Sequence, residues 1–204
     1  MIEKDTFKTI ENFSEGIYKE KKSKFLSFAY PVMDVIEIKH HLQKLRQKYY
    51  DANHHCFAWK LGLQDDNVRS DDDGEPSGTA GKPILGQIKS HELTNILIVV
   101  VRYFGGIKLG PSGLIKAYKT AATEVIANSS IIIKPVSNYF DISFSYNSLN
   151  DVMKIVKEAN PEILSQNFNL DCSIQLFVRL SICNEFISRL EKVETVKIKF
   201  LYSK

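Results

Sequence analysis

The sequence that decides the fold lies between residues 71 and 118, and its three parts read DDDGEPSGTAGKP at 71–83, VVVRYFGG at 99–106 and LGPSGL at 109–114. Glycine and proline are concentrated in the first and last parts, which flank an apolar run starting at Ile96. A continuous β-branched run of this length indicates a strand buried on both faces. We therefore expect a functional face where the two loops meet.

The segment after the buried strand has the order strand, glycine-rich loop and helix N-terminus. Unpaired backbone N–H groups and the positive end of the helix dipole converge in such an arrangement, which favours anion binding. A P-loop NTPase would require Lys-Ser/Thr after Gly110, but this chain has Pro111-Ser112. Two interpretations stay open, anion binding and a packing role for the glycines. The candidate anion-binding or nucleic-acid-binding residues are Lys22, Lys24, Arg102, Gly105, Gly106, Lys108, Gly110, Ser112 and Gly113.

The acidic loop carries a second set of candidates. Its adjacent carboxylates repel one another unless a cation, a basic partner or backbone N–H groups offset their charge. Arg102 is expected to pair with this loop, because an arginine at the end of a buried strand needs a carboxylate. The spacing matches neither an EF-hand loop nor a nucleophile elbow at Ser77. The signature residues of the loop are Asp72, Asp73, Glu75 and Thr79.

A histidine-containing strand is predicted from residue 54 to residue 61. Period-2 alternation places His55, Phe57 and Trp59 on one face and His54 on the other. Alternate strand residues such as His54 and Cys56 can bind one metal ion together with an acidic group. No ligand spacing in this sequence supports such a site, so no metal is predicted. Both histidines are instead expected to support the acidic loop through hydrogen bonds.

The remaining pattern predicts an N-terminal α+β domain over residues 1–135. Asp34 and Glu37 have capping-box spacing, so a helix should span 34–48, and Ser112 could cap the helix that follows the glycine loop. Residues 64–82 have the composition of a loop. Strands are predicted at 6–10, 16–22, 24–30, 54–61, 96–104 and 129–134, with further helices from Pro83 to 88–93 and up to Asn128.

Residues 136–204 predict a second domain with the order βαββαβ, which is the ferredoxin-like arrangement. Its strands are expected at 139–145, 163–168, 172–179 and 195–202, and its helices at 149–159 and 184–192. In the last strand Val196, Ile198 and Phe200 alternate with Lys197 and Lys199. That alternation predicts one buried face and one basic, exposed face.

Composition excludes several classes of protein. The 204 residues are 44% hydrophobic and 25% charged with a net charge of +3, which is too mild for a dedicated nucleic-acid binder but leaves a local basic patch possible. The three cysteines lack zinc or disulfide spacing. Neither a signal sequence nor a membrane-spanning run is evident, so a cytoplasmic location without membrane association is expected.

The quoted motifs identify a family. DDGEP, GTAG, VVVRYFGG and the following Gly-Leu-Ala-Tyr pattern closely resemble the signature of the IMPACT/YigZ family, and the resemblance covers nearly the whole chain. It implies an N-terminal domain like the second domain of ribosomal small-subunit protein five and like GHMP-type kinases, with a small ferredoxin-like C-terminal domain. This chain departs from the family pattern at Ser112, in place of a glycine, and at Lys116, in place of an arginine.

The resemblance implies a translation-linked function, since eukaryotic relatives act in translational control. The first hypothesis is a non-catalytic cytoplasmic regulator of translation or stress response, without a cofactor, that binds RNA, a ribosome or a translation factor. The alternative is a nucleotide- or phosphate-binding enzyme of GHMP-like fold, with a peptidase as the weaker version. A plain protein-interaction module is the third hypothesis. The sequence identifies no catalytic residues and leaves the oligomeric state open.

Overall fold

The computed structural model describes residues 5–169 and 171–203, and it shows a mixed α and β protein built on antiparallel sheets. Residues 7–133 form one compact unit, and residues from Lys134 onward form another together with Asp5 and Thr6. The first ten elements of the chain are β1 (Thr6–Ile10), β2 (Ser14–Glu20), β3 (Ser23–Pro31), α1 (Val35–Lys48), β4 (His54–Lys60), β5 (Val68–Asp71), α2 (Gly81–Ser90), β6 (Ile96–Tyr103), α3 (Gly110–Ala127) and β7 (Ile131–Pro135). Strand β7 pairs with β1 in a two-stranded sheet.

Strand β6 is the centre of a five-stranded sheet with the order β2-β3-β6-β4-β5, as its apolar sequence predicts. Helices α2 and α3 pack on one face of β6, where they contact Ile96, Ile98 and Val100. Helix α1 packs on the other face against the alternate residues of the same strand. The predicted alternation along β4 is confirmed, because Cys56 belongs to the first of these clusters and Phe57 to the second.

Helix α1 begins as its capping signal predicts. The Asp34 carboxylate accepts hydrogen bonds from the backbone N–H groups of Ile36 and Glu37, at 2.7 and 2.8 Å. The Glu37 carboxylate accepts the N–H of Met33 at 2.7 Å, one residue before the position that a capping box uses. The helix ends at Lys48, so both of its predicted ends are correct to within one residue.

The prediction of an uninterrupted loop over residues 64–82 was wrong. It contains strand β5, which pairs antiparallel with β4 from Val68 opposite Lys60 to Asp71 opposite Phe57. The sequence of β5 is polar because it is the edge strand and none of its residues is fully buried. Such a strand has no apolar alternation to reveal it. Its pairing places the acidic loop immediately beside the histidine strand.

The second unit contains β8 (Ser137–Ser145), α4 (Leu149–Ala159), β9 (Glu162–Phe168), β10 (Asp171–Arg179), α5 (Leu180–Leu190) and β11 (Lys197–Ser203). Its antiparallel sheet has the order β11-β8-β10-β9, and both helices pack into one core cluster with it. Phe200 was predicted to be buried but is 55% exposed. A register shift between Phe200 and Tyr202 interrupts the alternation of β11 at this point.

The glycine loop after β6 packs tightly against the β2–β3 hairpin. A Cβ atom on Gly105 would overlap the carbonyl group of Lys22 and the backbone nitrogen of Ser23. The Gly105 N–H donates to Ser23 Oγ at 3.1 Å. At this position glycine is therefore required by a close backbone approach.

We expect Gly105→Ala to destabilise the protein by about 3 kcal/mol, because its methyl group overlaps backbone that cannot move away freely. The matched control is Gly86→Ala, in the exposed interior of α2, where a Cβ meets no atom within 4 Å. This control should stabilise the protein by about 0.5 to 1 kcal/mol, the helix propensity difference. Urea denaturation measures both, and equal effects of the two substitutions would contradict the packing argument.

Candidate functional site

The acidic loop neutralises each of its carboxylates by a different means, beginning with Asp72. Its Oδ1 accepts the N–H groups of Ala80 and Gly81 at 3.0 and 2.7 Å, and its Oδ2 accepts that of Gly78 at 2.8 Å. Burial acts to raise the pKa of Asp72, but these backbone donors outweigh burial and leave the pKa below its ordinary value. Asp72 therefore serves as a structural anion at the start of α2.

Asp73 ties the loop to α1 and β4. Its Oδ1 accepts a hydrogen bond from Arg46 at 2.9 Å, and its Oδ2 accepts the backbone N–H of His55 at 2.6 Å. The Asp73 carbonyl oxygen lies 2.8 Å from His54 Nδ1, which places the proton on that nitrogen in neutral His54. The His54 side chain and the His55 backbone thus both form hydrogen bonds with the acidic loop.

Glu75 forms the buried ion pair of the site. Its Oε1 lies 2.5 Å from Arg102 Nη1, and the two side chains are 4% and 6% exposed. The same oxygen accepts the hydroxyl of the fully buried Tyr118 at 2.8 Å. The predicted pairing of Arg102 with the acidic loop is confirmed, and Tyr118 adds helix α3 to the connection.

Behind this pair, the Cys56 sulfur lies 3.1 Å from the Asp72 carbonyl oxygen and 3.3 Å from the Tyr118 hydroxyl oxygen, and its single proton can be donated to one of them at a time. Burial raises the pKa of both Cys56 and Tyr118, so both groups stay protonated at neutral pH. Thr79, also buried, donates to the Pro76 carbonyl at 2.6 Å and closes the turn. These residues support the shape of the loop.

We expect Glu75→Ala to destabilise the protein by about 3 to 5 kcal/mol, because it leaves the Arg102 charge buried without its partner. Arg46→Ala breaks the partly exposed pair with Asp73 and should cost about 1 kcal/mol or less. Chemical denaturation of the two variants measures the difference. Similar losses in both would show that Glu75 and Arg102 do not form a desolvated pair.

The two loops and the end of β6 enclose a cleft of about 380 Å³. The polar part of its wall consists of Asn53, His54, Glu75, Arg102, Lys108 and Gly110, and the apolar part of Pro76, Phe104, Leu109, Pro111 and Leu114. His54 Nε2 lies 3.9 Å from Glu75 Oε1, too far for a hydrogen bond. Among the predicted residues, the cleft thus unites His54, Glu75, Arg102, Lys108 and Gly110.

The other predicted residues lie outside the lining of this cleft. Lys22 follows Lys21 in the two-residue turn of the β2–β3 hairpin. Lys24 is paired with Tyr103 across β3 and β6, and it lies on the same face of β3 as Leu26 and Phe28, which pack on the α1 side of the sheet. Gly106 and Gly110 have φ angles of +85° and +71°, a conformation that favours glycine. Ser112 and Gly113 occupy the first turn of α3.

The prediction that Ser112 caps α3 was wrong. The helix begins at Gly110, so Leu109 holds the N-cap position and Ser112 lies inside the first turn. Leu109 makes no capping hydrogen bond through its side chain, because it has no polar atom to offer. The first N–H groups of α3 are therefore not satisfied by a side chain at the N-cap.

His55 lies on the opposite face of β4 and packs under α1. Burial lowers its pKa below the ordinary value of 6.5, and the positive charge of Arg46 adds to this shift. The Asp73 carboxylate, 3.9 Å from His55 Nδ1, offsets only part of the effect. Folding therefore favours neutral His55.

We expect the protein to lose stability as the pH falls below 6.5. The unfolded chain then binds a proton that folded His55, with its lowered pKa, does not, and one such group contributes at most about 1.4 kcal/mol per pH unit. His55→Gln should reduce the dependence of the free energy of unfolding on pH. A part of that dependence should remain, because burial also lowers the pKa of His41. Denaturation between pH 8 and pH 5 tests this, and the difference at pH 8 isolates the packing cost of the substitution.

Within residues 5–169 and 171–203, no group of three or more His, Cys, Asp or Glu side chains is placed to hold a metal ion. Over the same residues, no helix has the length and apolarity needed to cross a lipid bilayer. Instead, the Asp73 carbonyl oxygen accepts from His54, and the Asp73 carboxylate accepts from Arg46 of α1.

Comparison with known proteins decides the family. The family model described as the Impact N-terminal domain matches residues 21–126, which include the acidic loop, β6 and the glycine loop. This chain belongs to the IMPACT family. An IMPACT family member of Haemophilus influenzae is 33% identical over 172 residues, covering 83% of this chain and 84% of that protein. The IMPACT family member YigZ of Escherichia coli is 31% identical over the same shares of the two chains.

A solved structure described only as a hypothetical protein has the same architecture. It is 26% identical to this chain with a TM-score of 0.74, and the match covers 97% of this chain and 98% of that one. The similarity of this IMPACT family chain to known proteins therefore extends across both of its units.

Sequence reasoning missed several residues that line or support the cleft in this IMPACT domain. The sequence pattern assigns no partner to the Tyr118 hydroxyl, although a buried tyrosine usually needs one. Asn53 accepts the Phe104 N–H at 2.8 Å and fixes the exit of β6, a role that only the three-dimensional fold brings out. Phe104 was quoted within the signature, but its exposure of 46% could not be read from the sequence.

Proposed function

We propose that this protein is a translation-linked regulator that binds single-stranded RNA through the face around the cleft. The basic face is defined as Lys22, Phe104, Lys108 and the first turn of α3. The observation that carries the proposal is an exposed aromatic ring beside exposed lysines at an uncapped helix N-terminus. These are the elements that bind bases by stacking and phosphates by charge.

The lysines of the basic face are available for phosphate contacts. Lys22 and Lys108 are exposed, and neither forms an ion pair with another described residue. Arg102 differs, because its charge is offset by Glu75 inside the protein. Long-range attraction of RNA therefore falls to these two lysines, with a contribution from the α3 dipole.

Phe104 supplies the flat surface that a base requires. Its ring is 46% exposed, and the Arg102 guanidinium carbon lies 5.6 Å from the ring centroid. The Phe104 N–H is held by Asn53, so the backbone that carries the ring is fixed. Stacking on such a ring is tolerant of sequence and contributes about 1 to 3 kcal/mol per base.

The β2–β3 turn supports a functional role for its lysines. Glu20 pairs with Ser23, leaving a two-residue turn in which Lys21 and Lys22 have φ angles of +45° and +67°. This type I′ geometry strongly favours Asn-Gly, and lysine in it is strained. Asn-Gly at these two positions would relieve the backbone strain, and unrelieved backbone strain is typical of functional sites.

The family supports the link to translation. Eukaryotic relatives act in translational control, as the resemblance implies, and the folds proposed for the two domains recur in translation proteins. We propose domains at residues 1–135, like the second domain of ribosomal small-subunit protein five, and 136–204, ferredoxin-like. The sheet order β11-β8-β10-β9 with two helices in one core supports the second assignment.

The double variant Lys21→Asn, Lys22→Gly tests the proposal without endangering the fold. It removes two charges from the turn and installs the residues that a type I′ turn prefers, so the protein should become more stable. Affinity for a single-stranded RNA should fall about tenfold or more, and the dependence of log K on log salt should weaken by about one unit. Fluorescence anisotropy titrations at several salt concentrations measure both quantities.

The matched control is Lys44→Gln, Lys89→Gln, which removes the same charge outside the basic face. Lys44 lies on α1, across the sheet from α3, and Lys89 lies in the last turn of α2. RNA affinity should change far less in this variant. If both variants bind equally, or if RNA and ribosomes fail to bind the natural protein at low salt, the proposal is wrong. A rise in Tm with nucleotides and magnesium, but no RNA binding, would favour the enzyme hypothesis instead.

A further inference from the structure

We infer that the cleft is a pocket for the terminal phosphate of the bound strand, so that the protein recognises a phosphorylated RNA end. This inference rests on the proposed RNA binding, because it assigns a specific ligand group to the cleft on the same face. The chemical class is a phosphate monoester, carrying a charge of about −1.5 to −2 at neutral pH.

The first supporting observation is Arg102 itself. Its side chain is 6% exposed and lines the cleft, and its Nε has no hydrogen-bond partner among the described residues. A buried N–H without a partner is costly, so such a group commonly marks the position of a ligand. The guanidinium can donate to Glu75 through Nη1 and to a phosphate through its other N–H groups.

The orientation of Arg102 is fixed in advance. The Phe25 and Phe104 ring centroids each lie 5.6 Å from its guanidinium carbon, and Glu75 holds Nη1. The β-sheet register places Phe25 on one neighbouring strand and His54 on the other, directly opposite Arg102. An arginine held in this way loses little conformational entropy when a phosphate binds.

The second observation is the start of α3, which lines the same cleft through Leu109, Gly110 and Pro111. The side chain of the N-cap residue, Leu109, accepts no hydrogen bond from the first N–H groups of α3. Lys108 also lines the cleft. The charge of Glu75 is offset by Arg102, and its Oε1 accepts from both Arg102 and Tyr118. The ion pair sums to zero charge, so the helix end and Lys108 make the pocket positive.

The donors of the cleft favour a terminal phosphate over an internal phosphodiester. A phosphate monoester presents three free oxygens and a charge of about −1.5 to −2, whereas a phosphodiester within a strand has fewer free oxygens and a single charge. Arg102, Lys108 and the start of α3 line the cleft together and can donate to several of these oxygens at once. The volume of about 380 Å³ lies within the range of small-ligand pockets and suits about one nucleotide.

The test compares one short single-stranded RNA prepared with a 5′-phosphate, with a 3′-phosphate, and with hydroxyls at both ends. We expect one of the phosphorylated forms to bind about tenfold or more tightly than the hydroxyl form at the same salt concentration. Lys108→Gln, in the cleft, should remove most of this preference. Lys22→Gln, which removes the same charge from the basic face outside the cleft, should weaken all three RNAs by a similar factor and keep the preference.

Equal affinity for the three RNAs would overturn the terminal-phosphate pocket and leave RNA binding on the basic face intact. If no RNA binds, the proposed function fails, and the pocket is then tested alone with inorganic phosphate and with uridine monophosphate. Saturable NMR shifts of the Gly110, Ser112 and Gly113 amides, lost in Lys108→Gln, would support the pocket. Shifts that do not saturate, or that persist in this variant, would overturn it.

Discussion

The fold of the first unit depends on the buried pair of Glu75 and Arg102. An arginine that is 6% exposed at the end of an apolar strand cannot remain there without a carboxylate, and the loop that supplies Glu75 cannot hold its own charges apart without a cation. Each charge offsets the desolvation cost of burying the other. Tyr118 donates to the same carboxylate oxygen and joins α3 to the pair. The ion pair thus fixes the relative positions of the acidic loop, the central strand and the helix that borders the cleft.

The rest of the acidic loop follows from the same constraint. With Glu75 turned inward, the neighbouring carboxylates must be neutralised by other partners. Asp72 is satisfied by three backbone N–H groups at the start of α2, and Asp73 by Arg46 and the His55 N–H. Left-handed φ angles at Asp73 and Gly74, +41° and +86°, make these divergent directions possible within two residues. The loop is acidic in sequence, yet it leaves little uncompensated negative charge beside the lysines.

Much of this could be predicted from sequence wherever one strong physical requirement acts alone. The apolar run predicts the central strand, Asp34 predicts the start of α1, and a buried Arg102 predicts an acidic partner. The choice of Glu75 over Asp72 could not be predicted, because it depends on the backbone angles of the loop. Strand β5 was missed because an exposed edge carries no apolar signal. The capping role of Ser112 was wrong because α3 starts at Gly110, two residues before Ser112. The positive φ of Gly110 lets the chain enter the helix without a polar cap.

The charged and reactive groups at this site fall into two sets. The buried Glu75 Oε1 has two donors, and the Cys56 thiol is held protonated by burial. Groups in this state are poor bases and nucleophiles. Lys22 and Lys108 are exposed and form no ion pair with another described residue, so they can attract a partner without a large desolvation cost. The strained Lys21-Lys22 turn, packed against Gly105, holds one of these lysines beside the glycine loop. The proposed RNA site therefore combines a neutral buried ion pair with exposed lysines, and this is the charge arrangement that the proposed recognition of a phosphate end requires.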